Sequence, residues 1–250
     1  MVTIFPIPAF EDNYIWVLQL GRNVVVVDPG DAAPVLHMLQ AKQLTLSAIL
    51  ITHHHSDHID GVEALLAQHP TPVYAPAYRE YTFPHTPVRE GDHITLTAIQ
   101  QTFSVLWLPG HTLDHIAFVN DQFLFSGDVI FGAGCGRLFE GSPEQMLHSL
   151  NRIKQLPHST QIFCTHEYTL RNIQFARGLE PSNARLAQRE AHVTSLRKQH
   201  LPSLPSTLEE EIATNPFLRG LETEIKQQIK MENATEIEIF STIRQLRNHY

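Results

Sequence analysis

The stretch Thr52-His53-His54-His55-Ser56-Asp57-His58, set directly behind the apolar run Ala48-Ile49-Leu50-Ile51, restricts the fold more than any other part of the chain. So dense a group of imidazoles with a carboxylate reads as a metal-binding segment. In a helix of about 3.6 residues per turn, His53 and His55 would point about 200° apart, so a shared ion requires an extended or looped backbone. A loop at the end of a strand is the expected setting.

Three more segments repeat the grammar of apolar run followed by ligand. Leu106-Trp107-Leu108 leads to Pro109-Gly110-His111, Phe123-Leu124-Phe125 to Ser126-Gly127-Asp128, and Ile162-Phe163-Cys164 to Thr165-His166-Glu167. Four strand ends are thus expected to converge, with His53, His55, Asp57, His58, His111, Asp128 and His166 as candidate ligands. A zinc ion takes about four, so this set is too large for one ion, whereas two ions sharing a carboxylate and a hydroxide would use all of it.

Elsewhere the chain reads as an ordinary enzyme-sized protein. Its 250 residues, 42% hydrophobic, can bury a substantial core. Cys135 and Cys164 lack CxxC spacing, so a reduced cytoplasmic protein with nitrogen and oxygen ligands is expected. The opening residues carry no basic segment ahead of Glu11-Asp12, and Pro6 and Pro8 interrupt their apolar run, so neither a signal peptide nor a membrane span is expected. A formal charge of -8 argues against a nonspecific nucleic-acid binder and requires local cations for any anionic substrate.

Alternating strand and helix signals fill the first two thirds. Val24 to Val27 ends at the turn Asp28-Pro29-Gly30, and a helix through Gln40 tolerates Pro34 in its first turn. Ala48 to Ile51 repeats the unit, with a helix from about Asp60 to Gln68. Short apolar runs follow at Ile94 to Ala98, Phe103 to Leu108, Ile116 to Val119 and Phe123 to Phe125, with a hairpin at Asn120-Asp121. Ser142-Pro143-Glu144-Gln145 starts a helix to about Lys154, and Gln161 to Cys164 is the last strand expected. After Thr169 the signals are helical: Asn183 caps a helix to about Lys198, Ser206-Thr207-Leu208-Glu209 offers a capping box, and two helices span about Leu218 to Lys230 and Thr235 to Arg247.

The HxHxDH pattern at His53, His55, Asp57 and His58, with PGHT at Pro109 to Thr112, SGD at Ser126 to Asp128 and THEY at Thr165 to Tyr168, resembles the metallo-beta-lactamase superfamily. Within it, Gly132 to Gly141, His166-Glu167-Tyr168-Thr169 and Asn215-Pro216-Phe217 resemble the glyoxalase II, or hydroxyacylglutathione hydrolase, family across nearly the whole chain. The resemblance implies an α+β fold: a four-layer αββα sandwich over residues 1–168, then a smaller all-helical substrate-binding domain over 169–250. It implies that His53, His55 and His111 hold one divalent ion and Asp57, His58 and His166 a second, with Asp128 bridging. Zinc is the metal expected, and iron and manganese suit the same ligands.

By the same resemblance the reaction is hydrolysis of the thioester of S-(2-hydroxyacyl)glutathione, with S-D-lactoylglutathione giving glutathione and D-lactate, a step of methylglyoxal detoxification. Zinc lowers the pKa of bound water to about 7, Asp57 orients the bridging hydroxide, and a thiolate of thiol pKa about 8.5 departs readily. Arg137, Tyr168 and Arg247 would bind the glutathione moiety. Three departures stand out: Arg137 where the family often has Lys, Phe139 where Tyr is common, and an end at His249-Tyr250 where the family continues with Lys-Asp and an aromatic. The protein is expected to be a cytoplasmic monomer without nucleic-acid or membrane partners.

His54 and His115 are read as structural, Asp28 as a loop-fixing residue, and Cys135 as small-residue packing rather than a nucleophile. Gly132 to Gly136 lacks the GxxxxGK pattern of a phosphate loop. Two alternatives to the hydrolase are an iron-dependent glutathione persulfide dioxygenase and a metal-binding scaffold without turnover.

Overall fold

The computed structural model describes residues 1–250, which form two compact units: Met1–Trp107 with Asp114–Gly127, and Leu108–Leu113 with Asp128–Tyr250. In the first, β1 (Thr3–Ala9), β2 (Asn13–Leu20), β3 (Asn23–Val27), β4 (Thr45–Leu50), β5 (Val73–Pro76) and β6 (Thr86–Val88) form one sheet in sequence order. The first three strands are antiparallel neighbours and the rest join in parallel. Parallel pairing requires crossovers, which α1 (Ala32–Lys42) supplies between β3 and β4, and α2 (Ser56–Ile59) with α3 (Val62–Gln68) between β4 and β5.

The β-branched run Val24–Val27 is buried throughout, as expected of a strand covered on both faces. Val24 and Val26 pack with Ile49 and Ile51 into a core containing Val35 and Leu39 of α1 and Val62 and Leu65 of α3. Helix α1 is capped by Asp31, whose carboxylate accepts from the Ala33 amide, and it ends on Gln43 in a left-handed conformation.

Strand β1 is absent from the sequence reading because Pro6 and Pro8 break its pattern. It lies at the sheet edge, pairing with β2 alone, with Pro6 opposite Trp16 and Pro8 opposite Tyr14. Residues two apart present their backbone nitrogens the same way, so both prolines can turn the missing N–H toward the open edge.

The remainder of this unit is an antiparallel meander of β7 (His93–Leu96), β8 (Gln101–Trp107), β9 (Ile116–Val119) and β10 (Phe123–Gly127). The expected run to Ala98 instead stops at Leu96 and enters a single 3-10 turn, Thr97–Ile99. The Asn120-Asp121 hairpin forms as expected, with the Asn120 side chain accepting from the Gln122 and Phe123 amides at 2.9 and 2.8 Å.

The second unit contains the two-residue strands β11 (Ile130–Phe131) and β12 (Gly134–Cys135), then α4 (Pro143–Ile153), whose capping box at Ser142 and Gln145 is complete. Next come β13 (Gln161–Cys164), α5 (Thr169–Leu179) and α6 (Ala184–Lys198), capped by Asn183 as expected. Then β14 (Ser206–Thr207) leads into α7 (Leu208–Thr214), α8 (Thr223–Gln228) and α9 (Glu236–Asn248). The cap of α7 is Thr207, accepting from the Glu210 amide, rather than Ser206, because Ser206 is paired with Ile162 of β13. Helix α8 is shorter than the span from Leu218 expected for it, since Leu218 and Glu222 close turns onto Asn215 and Arg219. No helix is long and apolar enough to cross a membrane.

Candidate metal centre

Thr52 to His55 form an irregular segment at the end of β4, so the looped backbone required for His53 and His55 to face one ion is present. Asp57 and His58 differ from that picture, since both lie in α2, whose N-cap is His55. The segment packs closely on the turn after β3: a Cβ at Gly30 would lie 1.9 Å from the Asp57 carbonyl oxygen, so only glycine fits there.

One carboxylate organises the histidines of this first unit. Asp28 Oδ1 accepts from the Thr52 amide at 2.7 Å, and Oδ2 accepts from Thr52 Oγ1 at 2.7 Å. Having given its proton to Asp28, the Thr52 hydroxyl meets His53 Nδ1 at 3.1 Å as an acceptor. Nδ1 therefore carries the proton of His53, and Nε2 keeps the lone pair that a metal needs. Asp28 Oδ2 also lies 3.0 Å from His58 Nδ1, so the same carboxylate borders a second imidazole. Asp28 thus does more than the loop-fixing expected of it.

Asp57 is held by Asn13, whose Nδ2 donates to Oδ2 at 2.8 Å. Asn13, 6% exposed, was missed from the sequence, where its only signal is a polar residue opening an apolar strand. Replacing Asn13 with Leu is expected to weaken metal binding and turnover by about 10–100-fold, the usual cost of removing the partner of a ligand. Chelator competition alongside the assay would measure it. His54 turns away, with Nδ1 2.9 Å from Asp114 Oδ1, while Tyr81 donates to Asp114 Oδ2 at 2.9 Å. Burial and the adjacent Asp114 charge raise the Tyr81 pKa, which keeps that phenol a donor. His115 stacks on His53 at 4.7 Å, consistent with its structural reading.

The second unit holds the other three candidates together. Asp128 Oδ2 lies 3.5 Å from His111 Nε2 and 3.3 Å from His166 Nε2. His111 Nδ1 donates to the Arg137 carbonyl at 2.8 Å, again directing Nε2 toward the carboxylate. Tyr168 stacks on His166 at 4.7 Å with an interplanar angle of 4°, and Phe131 meets both rings edge-on. Phe139, 61% exposed, stands edge-on to His111 at 5.2 Å.

Donor spacings test whether divalent ions fit. Two ligands about 2.1 Å from a tetrahedral zinc stand about 3.4 Å apart. His53 Nε2 and His55 Nδ1 are 3.0 Å apart, Asp57 Oδ2 and His58 Nε2 3.5 Å, and Asp128 Oδ2 lies at comparable distances from its two imidazoles. Nitrogen and carboxylate donors at these spacings suit a divalent cation of the zinc, iron or manganese type.

The remaining candidates are placed as follows. Arg137 is exposed, and Arg247 donates through Nε and Nη2 to Asn172 Oδ1 at 3.1 and 3.0 Å, between the rings of Phe175 and Tyr250. Burial, then the nearby charges of Arg244 and Arg171, lower the Arg247 pKa. Cys135 and Cys164 are buried free thiols; burial raises both, Cys164 to about 12. Both should therefore stay protonated at pH 8 and resist iodoacetamide until the chain is unfolded, as peptide mass spectrometry would show.

The description "Metallo-beta-lactamase superfamily" matches residues 9–166, and "Hydroxyacylglutathione hydrolase C-terminus" matches residues 167–250. A hydroxyacylglutathione hydrolase of Methylobacillus flagellatus is 51% identical over 250 residues, covering 100% of both chains. One from Vibrio parahaemolyticus is 47% identical over 254 residues with the same coverage. Among solved structures, the BLEG-1 B3 metallo-beta-lactamase superposes with a TM-score of 0.63 at 26% identity, covering 87% of this chain and 99% of that one. A protein crystallised in a di-iron-bound form superposes with a TM-score of 0.57 at 30% identity, over 65% of this chain and 91% of that one.

Proposed function

Because this chain belongs to the metallo-beta-lactamase superfamily, and within it to the hydroxyacylglutathione hydrolases, we propose that it hydrolyses the thioester of S-(2-hydroxyacyl)glutathione, with S-D-lactoylglutathione the expected substrate. It is a thioester hydrolase with a metallo-beta-lactamase fold that binds divalent metal. In the proposed site His53, His55 and His111 take one ion and Asp57, His58 and His166 the other, with Asp128 shared. Zinc is the proposed metal. The observation that carries this reading is the pair of ligand groups, one in each unit, with Nε2 of His53 and of His111 left as lone-pair donors.

When bound, the ions supply an activated water at neutral pH and an electrophile for the carbonyl oxygen. The chain contributes orientation. Asp28, through Thr52, and the Arg137 carbonyl fix imidazole tautomers, and Asn13 aims Asp57, which directs the water. Water adds to the thioester carbon, the C–S bond breaks, and the products are a 2-hydroxy acid and the glutathione thiol. No serine or cysteine nucleophile is required, in keeping with two buried, protonated thiols.

Glutathione carries two carboxylates, so a protein of charge -8 needs a local cationic clamp. Arg137, Tyr168 and Arg247 are the proposed contacts, and Arg247 suits the role because the partner of its guanidinium is an amide oxygen rather than a carboxylate. The catalytic domain is proposed to span 1–168 and the substrate-binding domain 169–250, a division close to the junction of the two family matches. A cytoplasmic monomer is the proposed form. Incubating the metal-replete protein with S-D-lactoylglutathione should release glutathione without oxygen uptake. Oxygen uptake with glutathione persulfide, and an intact thioester, would instead identify a dioxygenase.

A further inference from the structure

The glycine-rich segment before Arg137 is held from the far end of the chain. Arg244 of α9, 6% exposed, donates through Nη1 to the Cys135 carbonyl at 2.6 Å and the Gly136 carbonyl at 3.3 Å. Its guanidinium also packs over the Phe217 ring at 5.1 Å, and its Nε has no hydrogen-bond partner. A buried guanidinium that meets carbonyls and a ring instead of a carboxylate is costly to place, so the contacts it makes need a reason beyond ion pairing.

The next carbonyl in the chain supplies that reason. Arg137 O accepts from His111 Nδ1, so the carbonyls of Cys135, Gly136 and Arg137 are consecutive, the first two gripped by Arg244 and the third gripping a ligand. The segment has no room to drift toward the ligands: a Cβ on Gly136 would lie 2.0 Å from the Asp128 carbonyl oxygen and 3.1 Å from His111 Nδ1. A shift of a few tenths of an ångström in this backbone would lengthen the 2.8 Å bond that sets the tautomer and rotation of His111.

We propose that Arg244 is a positioning residue for the metal centre, setting the His111 imidazole through the backbone of Cys135 to Arg137. Nothing in the helical tail then needs to touch metal or substrate for α9 to govern metal affinity. The proposal rests on His111 being a ligand, and the test separates failure of that reading from failure of this one.

The full-length protein, R244K and R244M would be stripped of metal and compared by thermal midpoint, by the His111 imidazole signals in a 1H-15N spectrum, and by zinc affinity in competition with a chromophoric chelator. In metal-free R244M the His111 Nδ1–H signal should broaden or shift toward exchange-averaged imidazole, and affinity for one zinc should fall by about 10–100-fold. R244K, able to reach a single carbonyl, should recover part of both. A general loss of packing would lower the thermal midpoint while leaving the Nδ1–H signal of the folded fraction intact. Parent-like His111 signals and zinc affinity within twofold in a folded R244M would overturn the proposal, and if R244M does not fold, parent-like values in R244K would do the same. If the parent protein itself binds no zinc, the metal reading fails instead, yet the His111 signal still decides whether Arg244 orients that ring.

Discussion

Replacing Asp128 with Ala is expected to reduce kcat/KM by more than the about 10–100-fold that loss of an outer partner costs. A fall on the order of 10²–10³-fold or beyond matches removal of one preorganised electrostatic element, and here a proposed ligand is lost as well. One oxygen, Oδ2, faces both His111 Nε2 and His166 Nε2, so a single truncation empties the middle of this ligand group. The residue is 5% exposed, and the alanine would leave two imidazoles facing a gap rather than a carboxylate. Metal content should fall in parallel with turnover, and the Asn conservative variant should retain more metal than Ala. Elemental analysis and thioester assay of the same preparation check both. Turnover within threefold of the parent would remove Asp128 from the site.

The largest stability effect is expected at Glu211. Its side chain, fully buried, forms an ion pair with Arg189 at 2.5 Å and accepts from the Ala133 amide at 2.8 Å and from Asn215 Nδ2 at 3.0 Å. Desolvation alone would lower the Arg189 pKa; the Glu211 charge and hydrogen bond outweigh it and the pKa is raised. Glu211→Leu removes the buried anion and leaves the guanidinium with only the more exposed Glu210, 3.4 Å away, so the cost should be about 3–5 kcal/mol, the range for breaking one side of a buried pair. For a chain of this size each kcal/mol shifts the midpoint by about 2–4 °C, giving a drop of roughly 6–20 °C in Tm by calorimetry. Replacing both partners together, as in Arg189→Met with Glu211→Leu, should cost less than either single change predicts, because no charge is then stranded. Since Asn215 also donates to the Phe131 and Gly134 carbonyls, the same network holds the glycine-rich segment near His111, and the single variant should lose zinc affinity as well as stability.

The proposed ligands could be read from the sequence because each is a chemically distinctive residue placed just after an apolar run. Asp28 and Asn13 could not be assigned their roles that way, since a polar residue at a strand terminus is in most proteins a turn former. Their function depends on which loop the fold brings opposite, as when Asp28 reaches Thr52 and His58 across two strand ends. Strand β1 escaped for a related reason: two prolines argue against a strand unless it is known to be an edge. Strands β11 and β12, two residues each, are too short to show periodicity. The tail helices were legible from their caps, as Asn183 and Thr235 confirm, whereas the choice between Ser206 and Thr207 turned on a strand pair formed with Ile162. Arg244 carried no local signal, because its partners are backbone carbonyls more than a hundred residues away.

The most direct test of the central claim is a titration of the metal-free protein with zinc, following S-D-lactoylglutathione hydrolysis and bound metal in the same samples. Hydrolysis should rise with metal occupancy and saturate at two ions per chain. A folded protein that binds its metal and leaves this thioester intact would contradict the account.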